Sequence, residues 1–87
     1  MAVRSPDARS TRPDVRNPVT ALPAFQRLRR LPRPAREALA ELLWDLGADA
    51  SERAETYWRK HKAPMAAYWK ACAVYARHIS RGLRREL

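Results

Sequence analysis

What this 87-residue chain has little of narrows its chemistry first. It contains one cysteine, two glycines, two histidines and one phenylalanine, and nine acidic residues stand against eighteen basic ones. A single cysteine, Cys72, cannot close an intramolecular disulfide, which points to a reducing compartment. One cysteine with His61 and His78 cannot build a closed structural zinc site either. Cys72 lies among Tyr68, Tyr75 and Ala76 on a helical wheel, the setting of an inert core thiol rather than of a nucleophile. With only Gly47 and Gly82 there is no glycine-rich loop to cradle a phosphate. No apolar run approaches the roughly 20 residues that a membrane-spanning helix requires. The opening stretch MAVRSPDARSTRPDVRNP holds no apolar segment of the secretory kind. The expectation is a cytoplasmic protein that is not an enzyme, with no catalytic residue, no metal and no cofactor.

What is abundant is positive charge. The net charge is +9, and fifteen of the eighteen cations are arginine. An anionic partner therefore comes first, and arginine offers bidentate contacts to phosphate or carboxylate. High Arg, Ala and Pro with little Lys or Ile also suits a GC-rich bacterial genome, which accounts for part of the excess without any function. The charge is segregated. Residues 1–33 hold eight cations and two anions, residues 34–56 two cations and six anions, and residues 57–87 eight cations and one anion. The chain has a basic start, an acidic middle and a basic end.

Proline and hydrophobic spacing predict an all-α fold: a small bundle of three to four helices, at about 23–31, 34–46, 50–62 and 64–86, after an extended basic N-terminal arm. Residues 1–21 carry four arginines and three prolines and too little apolar surface to order themselves, so they are expected to form a flexible arm. Residues 22–87 then form a single helical domain, too short for a second core. Pro23, Pro34 and Pro64 each suit the first turn of a helix. Gly47 sits where a left-handed residue commonly ends one, and Asp49 with Glu52 resembles a capping box opening the next. The turn at Ala63 is too short for a relaxed hairpin, so a sharp corner or a proline kink is expected there.

The apolar stripes predict which faces are buried. Leu39, Leu42, Leu43 and Leu46, with Ala35 and Ala38, form one stripe; Met65, Tyr68, Trp69, Cys72, Tyr75, Ala76, Ile79 and Leu83 form another. Tyr-Trp followed by a cation occurs twice, at Tyr57-Trp58-Arg59 and Tyr68-Trp69-Lys70. Each pair straddles a stripe, so both are expected to wall the core rather than to stack on bases.

Functional candidates follow from charge placement. On the last helix Lys70, Arg77, His78, Arg81, Arg84 and Arg85 oppose the apolar stripe, with no acid before Glu86. Together with Arg27, Arg29, Arg30 and Arg33 they form a candidate site for nucleic acid or another polyanion. A helix-turn-helix reading of Leu39 to Trp58 is disfavoured. Arg53 and Thr56 fall where that motif packs apolar residues, and Glu52 and Glu55 would face the phosphates. Trp44 lies on a polar face. It either packs under the short helix that holds Phe25 or marks a protein interface. The leading reading is a nucleic-acid-binding accessory or regulatory protein, with a homodimer expected to add buried surface. The competing reading is an adaptor or inhibitor that docks its basic face on an acidic partner protein and anchors it through Trp44.

Overall fold

The computed structural model describes residues 18–85. Most of the expected arm, at 1–17, and Glu86, the expected end of the last helix, lie outside them. Among the described residues there is no strand. A single 3-10 turn, Pro18–Ala21, leads into α1 (Pro23–Leu28), and two long helices follow, α2 (Arg33–Arg59) and α3 (Ala63–Arg84). Residues 18–21 therefore belong to the folded part rather than to an arm. The carbonyl of Val19 accepts the Leu22 N–H at 3.1 Å, and the Gln26 side-chain amide donates to the Thr20 carbonyl at 3.3 Å.

The three prolines act as helix starters. Each helix carries a proline in its first turn, where the missing N–H would have had no intrahelical partner. Leu22, just before Pro23, is extended, the conformation a following proline imposes.

Gly47 does not end a helix. α2 runs through it for 27 residues, and no glycine among the described residues has a positive φ. The expected helices at 34–46 and 50–62 are one element, and the helix-turn-helix alignment falls with the break. Asp49 forms no capping box; its carboxylate accepts a bond from Arg53 Nε at 2.7 Å. The stop comes at His61, which adopts the left-handed φ of 59°. The His61 N–H bonds the Trp58 carbonyl at 3.0 Å and the Lys62 N–H bonds the Tyr57 carbonyl at 2.9 Å. This is a Schellman motif with histidine in the place usually taken by glycine.

The turn that follows makes an antiparallel hairpin rather than a corner. Arg36 reaches the Leu83 carbonyl, Ser80 reaches Ala40, and Gly47 lies against Ala73. Numbers rise along α2 as they fall along α3. The seam repeats in alternating steps of three and four. On α2 it comprises Arg36, Ala40, Leu43, Gly47, Ala50, Ala54 and Tyr57; on α3 it comprises Ala66, Trp69, Ala73, Ala76, Ser80 and Leu83. Most of these side chains are small, so the backbones approach closely. A serine hydroxyl spans the gap, Ser80 Oγ donating to the Ala40 carbonyl at 2.7 Å. A Cβ on Gly47 would stand 3.0 Å from Arg77 Cγ and 3.3 Å from the Ala73 carbonyl oxygen. Gly47 is thus present for close approach, not for its backbone freedom.

This seam corrects the expected apolar faces. Leu43, Trp69, Ala76 and Leu83 lie in it, but Leu42 is 65% exposed, and Leu46, Met65, Tyr68 and Tyr75 are exposed as well. Because small residues make the contact, the large apolar stripes are turned about 60° away from it, to the same side of the hairpin in both helices. The Tyr-Trp echo splits accordingly. Tyr57 and Trp69 are half-buried in the seam, while Trp58 and Tyr68 face outward and wall no core. α1 closes one end of the apolar side. Phe25 joins Ala40 and Leu83 in the core cluster, flanked by Leu39, Leu43 and Ile79. Its ring lies so close to Gly82 that a Cβ there would be 2.6 Å from Phe25 Cζ.

Candidate polyanion-binding edge

Arg77, Arg81 and Arg84 follow one another by four and three residues and share a stripe of α3, on the side of the hairpin away from Phe25. Trp44 of α2 stands on that same side. Its ring centroid is 5.6 Å from Arg77 Cζ and 5.8 Å from Arg81 Cζ. Trp44 therefore does not pack under α1. It remains 39% exposed, and it seats two guanidinium groups. A cation over an indole is stabilised by the ring quadrupole, by about 0.5–1 kcal/mol at an exposed site. Unlike a carboxylate partner, the ring leaves the cation's charge unneutralised. Arg77 Nε is buried without a hydrogen-bond partner, so the ring rather than an acid orients this side chain.

The second part of the site is assembled by Arg36, a residue that charge placement did not single out. Arg36 is buried; its Nη1 donates to the carbonyls of Leu83 at 2.9 Å and Arg85 at 3.3 Å, and its Nε donates to the Leu31 carbonyl at 3.1 Å. One side chain thus ties the connection between α1 and α2 to the last turn of α3. It also places a cation where the C-terminal carbonyls of α3 concentrate negative potential. As a consequence the segment that carries Arg27, Arg29, Arg30 and Arg33 meets the end of α3 that carries Arg81, Arg84 and Arg85 at the open end of the hairpin, α1 on the Phe25 side and Arg81 on the Trp44 side. α2 begins at this same end with no side-chain cap, and its first N–H groups add to the positive potential. The only signal for Arg36 in the sequence is its register, four residues before Ala40 in the seam.

Lys70 is not brought to this end. It lies eleven residues before Arg81, about 16 Å along the helix. There it lines a groove of about 490 Å³ near the closed end, with Ser51, Glu55, Trp58 and Ala66. This groove is open and shallow, and its floor is mostly alanine.

Three of the six acids of α2 pair within the helix. Glu37 pairs with Arg33 at 3.2 Å, Asp49 with Arg53 at 2.7 Å, and Glu55 with Arg59 at 3.7 Å, each four residues apart and exposed. Such pairs contribute little to stability, but they neutralise cations of α2 only. The hydrogen bond and charge of Asp49 raise the pKa of Arg53 above its ordinary value, and Arg53 also lies 5.0 Å over the Trp69 ring. Along α3, Lys70, Arg77, Arg81, Arg84 and Arg85 form no ion pair among the described residues. The hairpin has one acidic long edge, on α2, and one basic long edge, on α3.

Among the described residues no cluster of three or more His, Cys, Asp or Glu could hold a metal ion, and no helix is long and apolar enough to cross a membrane. The fold defines an all-α helical hairpin with a short helix clasped at its open end. No family model matches the chain, and no curated protein or solved structure is significantly similar to it.

Proposed function

We propose that this protein is a small cytoplasmic nucleic-acid-binding accessory factor that holds the sugar-phosphate backbone on its α3 edge and open end. The observation that carries the reading is the seating of Arg77 and Arg81 on Trp44, beside an open end where Arg36 gathers arginines from both ends of the fold. Full charges held by a ring and by backbone geometry, with no acid beside them on α3, lose mutual repulsion when a phosphate arrives. Contacts of this kind read the backbone rather than base edges, so binding is expected to be tight at low salt and to discriminate poorly among sequences.

Binding of the full chain to random-sequence duplex DNA across a salt series tests this. If about five phosphates are engaged, the logarithm of affinity falls with the logarithm of salt at a slope of about −4.5. Arg77→Glu with Arg81→Glu lowers affinity at least tenfold and flattens the slope, and Trp44→Ala lowers affinity several-fold by releasing both side chains. Absence of binding at low salt overturns the reading. Retention of an acidic protein in its place, through the same arginines, would identify the protein as an adaptor or inhibitor.

A further inference from the structure

Trp58 is the tryptophan that the fold leaves without a structural task. Trp69 lies in the seam and Trp44 seats two guanidinium groups, whereas Trp58 is 65% exposed and walls no core. Its indole stands between two open hollows. One is the groove of about 490 Å³ that also holds Lys70, and the other, of about 520 Å³, is lined by Arg59 and His61. Trp58 and Ala63 belong to both, so the ring forms a ridge between them. We propose that Trp58 is a stacking platform for an unpaired base, and that the ligand held along this side of the hairpin is single-stranded nucleic acid. This rests on the nucleic-acid reading above and names the form of nucleic acid that the surface fits.

Three observations choose that ligand. The first is that the two halves of a nucleotide strand find separate partners here. On α2, Trp44, Ala48, Ser51, Glu55 and Trp58 follow one another by four and three residues and share one stripe. On α3, Lys70, Arg77, Arg81 and Arg84 share a stripe on the same side of the hairpin. Because the helices are antiparallel, Trp44 stands beside Arg77 and Arg81, and Trp58 beside Lys70. An aromatic row thus runs next to a cationic row. The phosphates of a strand can follow α3 while its bases turn toward α2.

The second is length. Trp44 and Trp58 are fourteen residues apart, as are Lys70 and Arg84, so each row spans about 21 Å. At about 3.4 Å per stacked nucleotide this accommodates roughly six nucleotides. Ala48 and Ser51, between the tryptophans, are too small to obstruct the path. The one acid between them, Glu55, already pairs with Arg59 at 3.7 Å. The third is what an exposed indole can gain. The bases of a duplex are stacked on one another and show only their edges in the grooves, so they have no face to offer Trp58. An unpaired base does.

Binding of the full chain is measured by fluorescence anisotropy with three labelled probes. They are an oligodeoxythymidylate of roughly twelve nucleotides, an abasic strand of the same length and charge, and a mixed-sequence duplex. The oligodeoxythymidylate should bind about fivefold to a hundredfold more tightly than the abasic strand, the range expected for one stacked base. Trp58→Ala should remove that difference and leave abasic-strand and duplex affinity unchanged, whereas Trp58→Phe should keep most of it. Equal affinity of the wild-type protein for the oligodeoxythymidylate and the abasic strand overturns the proposal, whatever the variants do. So does a Trp58→Ala protein that keeps the preference. In both cases duplex binding through Arg77 and Arg81 would leave the nucleic-acid reading standing, while failure of every probe at low salt overturns the two together. Preference for polyglutamate over the oligodeoxythymidylate, lost in Trp58→Ala, would also overturn the proposal and assign the groove to an acidic peptide.

Discussion

His61 shows how a single residue can carry a cost for the geometry of the whole hairpin. Its φ of 59° is the left-handed conformation, where a side chain with a Cβ is disfavoured by roughly 1–2 kcal/mol relative to glycine. The position is retained because its N–H and that of Lys62 close the end of α2. Glycine would remove the strain but would lose more freedom on folding, an opposing effect of about 0.5–1 kcal/mol. His61→Gly should therefore stabilise the protein by about 0.5–1 kcal/mol in urea denaturation; a loss of stability would contradict this account of the turn. Gly47 is the counterpart. In sequence it reads as a helix stop, because glycine after a leucine-rich run usually is one. Its actual role, giving room to Arg77 and the Ala73 carbonyl, depends on residues some thirty positions away.

At the scale of elements, Arg36 joins the connection after α1 to the end of α3, while Ser80 joins α3 to α2 nearer the middle. Three backbone carbonyls depend on Arg36, two of them at the end of α3 and one in the connection after α1. Bonds from a charged donor contribute roughly 1.5–3 kcal/mol each, less what water can replace. Arg36→Met, similar in length but without donors, should cost about 2–4 kcal/mol in urea denaturation and weaken duplex binding, because the arginines at 29–33 lose their attachment. Arg36→Lys should not restore stability, since an ammonium cannot match the planar fork. Unchanged stability in both variants would remove Arg36 from the account of the open end. This element-level arrangement was only partly legible beforehand. The prolines placed the helix starts well, because proline fixes φ and removes a donor wherever it stands. The single α2 and the seam were not legible, because the leucine stripe outweighs alanines that differ little in hydropathy from their neighbours.

At the scale of the molecule, paired cations lie on α2 and cations seated on a ring lie on α3. Duplex binding in a salt series should therefore fall much further for Arg77→Glu with Arg81→Glu than for Arg53→Glu with Arg59→Glu, whose charges already have carboxylate partners. Equal losses from the two variants would show that net charge alone, and not the α3 edge, governs binding.

The amino-acid order alone settled what depends on each residue and its near neighbours. The helical content, the helix starts at or one residue before Pro23, Pro34 and Pro64, the Glu55–Arg59 pair and the separation of acidic from basic segments are all of this kind. Tertiary structure decided which face of each helix is used. Whether two helices meet through leucines or through alanines depends on how closely both backbones can approach, and that is a property of the pair. The close seam left the large side chains on an open side, carried Trp44 beneath Arg77 and Arg81, and brought Arg36 to the end of α3.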